Sequence, residues 1–195
     1  MHRIRFAPKD VIFRQGAPAL GWYVLCRGRA KLVILTSRGK RFVLWFCKPG
    51  DVLSLGLSEL HALSAVAIDH CVVAFVERER GYSLLHEHLK LWGGMWRHLA
   101  EREERLSRRL EDLVALGVRE RLVRVLLALG EEHSSLQNDG LRIDLSLSHQ
   151  DLAEMVGASR EKVNQNLRRL AENGLIRVER KQITILDADG LRRFG

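Results

Sequence analysis

Long apolar runs are missing from this chain of 195 residues. No stretch approaches the ~20 residues that cross a bilayer, and the N-terminal MHRIRFAPKD lacks the apolar core of a secretory signal. The expectation is a soluble, cytoplasmic protein with no membrane partner. Paired cysteines are missing too. Cys26, Cys47 and Cys71 are odd in number, far apart, and each is set among apolar residues. Without a CxxC pair or a terminal cluster they argue against an iron–sulfur or zinc site, and read as buried free thiols in a reducing compartment. The eight histidines form no ligand cluster. His86 and His88, two apart, point in different directions on a helix. His70 next to Cys71 reads as structural rather than as a haem ligand. The expectation is therefore no metal, no cofactor and no enzyme.

What the chain does have is positive charge, +8 at neutral pH with a pI of 9.9, which suggests a polyanionic partner. Residues 1–80 carry 13 basic and 6 acidic side chains, residues 81–117 balance at 6 and 6, and residues 118–195 hold 13 against 12. The excess lies early in the chain, so global charge alone does not locate a DNA-binding surface.

The pattern divides the chain into three parts: 1–81, 82–117 and 118–195. From Ile4 to Val76 the runs DVIF, WYVLC, AKLVIL, FVLWF and CVVAFV are short, apolar or alternating, and broken by Gly- and Pro-bearing turns. Five or more such strands suggest a sandwich or a jelly-roll barrel rather than a parallel sheet. From Leu89 to Leu116 there is no proline, and Trp92, Trp96, Leu99, Leu106, Leu110 and Leu113 recur at steps of four and three. Glu103 takes the missing place. This is a heptad seam, and it favours pairing with a second copy over packing on its own domain. Glu103 would then fix register, paired with Arg102 or Arg105, or else face solvent. Beyond Gly117 a helix runs toward Gly130, SSLQNDG reads as a polar loop, and LRIDLSL alternates like a strand.

The segment LSHQDLAEMVGASREKVNQNLRRLAENGLI carries the strongest signal. Ser148 and Asp151 make a capping box, Ala153 is small where a second helix crosses, and Gly157 suits the left-handed turn that ends a helix. Ser159 caps the next helix, whose inner face is Val163, Leu167 and Leu170 and whose stop is Gly174. This is the spacing of a helix-turn-helix. The outward residues Arg160, Glu161, Asn164 and Gln165, with Arg168 further along, are types that hydrogen-bond base edges. LIRVERKQITILD follows as a two-stranded wing, with Arg177, Arg180 and Lys181 available for phosphates.

On these residues the chain resembles the cyclic-AMP receptor/fumarate–nitrate regulator family of bacterial transcription factors. The β region carries that family's framework at Phe6, Pro8, Gly16, Tyr23, Val24, Gly28, Gly50, Asp51 and Val52. The helix pair carries it at Ala153, Gly157, Ser159, Arg160, Glu161 and Val163. The resemblance implies an α+β fold: an N-terminal jelly-roll β-barrel, a long dimerisation helix and a C-terminal winged helix-turn-helix. It implies homodimers on palindromic double-stranded DNA, base reading by Arg160 and Glu161, and phosphate contacts by Ser148, Gln150, Ser159 and Lys162. It places the loop Ser134–Gly140 where relatives touch RNA polymerase, the common arrangement of an activator. Two positions depart from the family: Gln165 stands where a second arginine is frequent, and Arg180 where a wing-turn glycine is frequent.

A third departure concerns the effector. The family's phosphate cassette supplies Gly-Glu for backbone donors and ribose, and Arg-Ser/Thr-Ala for the phosphate. Here those places hold Ser54-Leu55 and Leu63-Ser64-Ala65, in a segment about two residues shorter, and the adenine-contacting pair falls near Leu106 and Ser107. Burying a phosphate needs a paired cation and directed donors, and both charged contacts are gone. Cyclic AMP is not expected to bind. Either the barrel holds an apolar or unfamiliar effector, or Leu55 and Leu63 fill it and the dimer binds DNA without one. A ligand-binding β-barrel sensor acting through protein contacts is the alternative of another class.

Overall fold

The computed structural model describes residues 1–137, 139–179 and 181–194. The chain divides into two compact units, Met1–Leu106 and Ser107–Gly195.

Eight strands build the first unit: β1 (His2–Phe6), β2 (Val11–Phe13), β3 (Gly21–Arg27), β4 (Ala30–Leu35), β5 (Arg41–Cys47), β6 (Val52–Ser54), β7 (Ser64–Ala67) and β8 (Cys71–Glu77). They pair antiparallel in two four-stranded sheets, ordered β1-β8-β3-β6 and β2-β7-β4-β5. That is jelly-roll connectivity, as two sheets rather than one closed barrel. Alternation of side chains supplies the core between them, with Leu25, Leu32, Ala65 and Val73 fully buried. β1 escapes pattern reading because His2, Arg3, Ile4 and Arg5 are all exposed; it is an edge strand held by β8. β6 and β7 are too short to show a period, and the cassette segment runs between them. Cys47 and Cys71 are buried, but Cys26 is exposed, against expectation: it follows inward-facing Leu25 at a register shift in β3.

The helical region begins earlier than Tyr82. Helix α1 (Arg78–Glu87) ends at His88, and a separate helix α2 (Leu89–Ala115) follows, crossing from the first unit into the second. No residue of α2 is fully buried.

The second unit continues with α3 (Val118–Glu132), β9 (Ser134–Gln137), β10 (Gly140–Ile143), α4 (His149–Val156), α5 (Arg160–Glu172), β11 (Ile176–Glu179), β12 (Gln182–Ile185) and α6 (Ala188–Phe194). Two sequence expectations change here. α3 runs two residues past Gly130, because that glycine serves packing rather than termination: a Cβ there would lie 2.8 Å from Ile185 Cδ1. The polar loop Ser134–Gly140 is instead a hairpin, with Leu141 opposite Leu136 and Ile143 opposite Ser134. It joins the wing in one sheet ordered β11-β12-β10-β9. Leu122, Leu126, Ile143, Leu152, Val163, Leu170 and Leu191 close the core of this unit.

Candidate nucleic-acid interface

α4 starts where its cap dictates. Ser148 Oγ accepts from the Asp151 N–H at 3.0 Å, and the Asp151 carboxylate accepts from the Ser148 N–H at 3.1 Å. Gly157 ends the helix at φ +70°, a left-handed conformation that a Cβ disfavours, and the Ala153 carbonyl accepts from both Gly157 and Ala158. Two residues later Ser159 caps α5, accepting from the Lys162 N–H at 3.3 Å. Val163, Leu167 and Leu170 are buried on one side of α5, which fixes the side that faces out.

On that outer side Glu161, Asn164, Gln165 and Arg168 line one shallow groove together with Arg169 and Glu172. Arg160 stands beside them, exposed at the first turn. The Glu161 carboxylate is held below the usual range by its own backbone N–H and by the Ser159 hydroxyl, so it presents an ionised acceptor. Arg160, Lys162 and Arg168 are exposed and form no ion pair among the described residues. The remaining phosphate candidates are engaged differently. Ser148 is occupied by its capping box, and the Gln150 amide donates to Glu154 at 3.1 Å. Arg177 pairs with Asp139 at 2.6 Å and Glu179 at 3.3 Å, and the Asp139 hydrogen bond raises its pKa. A phosphate at Arg177 would compete with two carboxylates. Lys181 is exposed at φ +75°; Arg180 lies outside the described residues.

The seam residues of α2 divide. Trp96 (66% exposed), Leu110 (64%), Leu106, Leu113 and Trp92 face outward, as a pairing seam requires. Leu99 does not: it is half-buried against the jelly roll, where it lines a cavity. Glu103 is exposed and makes contacts of its own. Arg102 turns inward, its guanidinium 4.9 Å from the centre of the Trp45 ring.

The cavity, about 150 Å³, lies where the cassette segment meets α2. Ser54, Leu55 and Leu63 line it with Phe13, His61, Leu99 and Arg102, and no carboxylate is among its lining. Leu55 is buried, yet the two leucines leave space unfilled. Ser64 instead accepts from the Gln15 N–H at 2.9 Å, and Ser107 is not part of the lining. Sequence reasoning missed His61 and Arg102. His61 is 5% exposed, stacked on Phe13 at 4.0 Å, and shares a hydrogen bond between Nδ1 and Ser54 Oγ at 3.2 Å. Burial pushes its pKa down. Nothing in ELHAL signals this. Arg102 carried a usable signal, since it lies three residues after Leu99 and so shares its face.

Residues 3–88 match the cyclic nucleotide-binding domain family, and residues 120–194 match the Crp-like helix-turn-helix domain family. The global nitrogen regulator of Synechocystis sp. is 31% identical over 185 residues, spanning 92% of this chain and 82% of that protein. The chain belongs to the CRP/FNR family of transcription factors. Another family member, the CRP-like cAMP-activated global transcriptional regulator of Mycobacterium tuberculosis, is 28% identical over 193 residues, spanning 97% of this chain and 86% of that one. Among solved structures, FixK2 from Bradyrhizobium japonicum superposes with a TM-score of 0.88 at 22% identity, covering 99% of this chain and 96% of its own. CRP/FNR proteins are transcription regulators and not enzymes, and their helix-turn-helix is a DNA-binding domain. Among the described residues no helix is long and apolar enough to cross a membrane.

Proposed function

We propose that the chain acts in the cytoplasm as a homodimer that reads a palindromic DNA site through α5, and that it needs no cyclic AMP to do so. The observation that carries this is the capped α4–turn–α5 pair, which buries Val163, Leu167 and Leu170 and thereby presents Arg160, Glu161, Asn164 and Gln165 on one outer side. Those four read bases. Ser159 and Lys162 at the start of α5, Ser148 and Gln150 at the start of α4, and Arg168, Arg177 and Lys181 contact phosphates. Residues 1–81 form the sensor-like domain, 82–117 the pairing region and 118–195 the DNA-binding domain. Trp92, Trp96, Leu106, Leu110 and Leu113 supply the seam. The β9–β10 hairpin, with Leu136 82% exposed, serves as the contact to RNA polymerase in an activator.

Independence from cyclic AMP rests on the cavity. Its volume of about 150 Å³ is below the ~300–1,000 Å³ of sites for drug-sized ligands, and it offers no carboxylate for a ribose. The unfilled space beside His61 favours a second reading, an effector-gated regulator with a ligand smaller than a nucleotide. Binding of purified protein to DNA selected in vitro, measured without additive and with saturating cyclic AMP, tests both. Tight binding to a two-fold symmetric site, unchanged by the nucleotide, is the expected result. Binding that needs cyclic AMP overturns the proposal, and binding that needs another small molecule establishes the second reading.

A further inference from the structure

The turn that launches α5 is held from outside the helix pair. Met155 and Val156 close α4, and the last carbonyls of a helix have no partner within it. Arg109, near the end of α2, donates through Nη2 to the Met155 carbonyl at 2.7 Å. Arg121, from the first turn of α3, donates through Nε to the Val156 carbonyl at 2.8 Å and through Nη1 to the Leu116 carbonyl at 2.6 Å. One guanidinium thus grips both the α2–α3 link and the end of α4. Asp112 and Arg124 add an ion pair at 2.5 Å between α2 and α3, with the Asp112 carboxylate only 13% exposed. Two cations at the C-terminal end of α4 also suit its dipole.

Arg109 and Asp112 each come one residue before a seam leucine, Leu110 and Leu113. One residue is about 100° around a helix, so the same two turns carry the clamp on one side and the outward seam on another. Leu110 is 64% exposed and Leu113 39% exposed, whereas Arg109 is half-buried against α4. The path from seam to recognition helix is therefore short: Leu110, Arg109, Met155, Gly157, α5.

We infer that Arg109 and Arg121 are positioning residues that set the separation of the two recognition helices, and so the half-site spacing that the protein accepts. This rests on the reading of the chain as a paired DNA-binding regulator. A dimer places its recognition helices about one DNA turn, ~34 Å, apart, and a one-base-pair change in spacer both shifts and rotates the second half-site. Only helices held rigidly with respect to the seam can discriminate at that level.

The test is competition binding of the full chain to palindromes whose central spacer is shortened or lengthened by one or two base pairs. Wild type, Arg109→Gln, Arg121→Gln and Arg109→Lys are compared, with thermal unfolding and solution mass recorded for each. Wild type prefers one spacer. Arg109→Gln and Arg121→Gln lose about tenfold of that preference while base preference within each half-site is unchanged. Arg109→Lys, whose ammonium can still donate to the Met155 carbonyl, recovers part of it. An unchanged spacer preference in folded, dimeric Arg109→Gln overturns the inference, and so does a loss of affinity that is equal for every spacer. Should Arg121→Gln fail to fold, the two Arg109 variants decide the matter. Absence of sequence-specific binding by wild type would instead overturn the proposed function.

Discussion

Gln165 is exposed on the outer side of α5, one turn after Glu161, at a place where the family resemblance leads one to expect arginine. An amide hydrogen-bonds adenine in two places, whereas a guanidinium does the same to guanine. Gln165→Arg is expected to move the selected base at that position from adenine toward guanine, by about 1–3 kcal/mol of discrimination. In vitro selection with both proteins checks this, and an identical consensus refutes it. The outer residues of α5 were legible in the sequence because a cap, an apolar period and a stop fix which side faces out. Their partners were not. Arg177 reads as an unengaged cation in the sequence, and only the pairing of two hairpins reveals Asp139 beside it. The same holds for His61, which lies in the loop between β6 and β7 and meets the ring of Phe13 from β2 only once the chain is folded.

At the level of elements, local signals did best where covalent geometry sets a rule. Ser148, Asp151, Gly157 and Ser159 each act as their residue type and spacing predict. The turn at Gly157 gives a direct check. Gly157→Ala puts a Cβ at φ +70° and is expected to cost about 1–2 kcal/mol, while Gly157→Asn, which tolerates that conformation, costs less. Thermal melting of the two variants should rank them in that order. Equal melting temperatures would show that the turn relaxes. Elements without such a rule were harder to see. β1 is exposed at four of its five positions and so shows no buried alternation, β6 has three residues, and the hairpin at Ser134 looks like a loop because its strands have only four residues each. Of the apolar seam residues of α2, five face outward and Leu99 does not. Heptad spacing does not say which apolar residues turn toward a neighbouring sheet, and Leu99 does.

At the scale of the whole molecule, the proposed pairing rests on the exposed side of α2. Trp96, Leu110 and Val114 are 66%, 64% and 81% exposed along one helix, the kind of apolar surface that marks an interaction site. Replacing both Leu110 and Leu113 with glutamate is expected to give a folded monomer by sedimentation. Its affinity for a palindrome should fall by about a hundredfold or more, since linked half-sites no longer reinforce each other. A variant that stays dimeric would place the pairing surface elsewhere. Architecture at this scale was legible, because a β-rich stretch, a heptad helix and a helix-turn-helix follow one another in order. The cavity was not, since its volume is what remains after Leu55, Leu63, Leu99 and Arg102 have packed.

The sheet of the second unit has a mechanical consequence. The wing and the Ser134 hairpin are one ribbon, stitched through Leu141–Ile185, Arg142–Thr184 and Ile143–Ile183 and tied again by Arg177 and Asp139. Leu136 in β9 and the wing strands β11 and β12 therefore belong to one hydrogen-bonded sheet. On the proposed function, tension from a protein grasping the hairpin end of this sheet would be felt by DNA at the wing end.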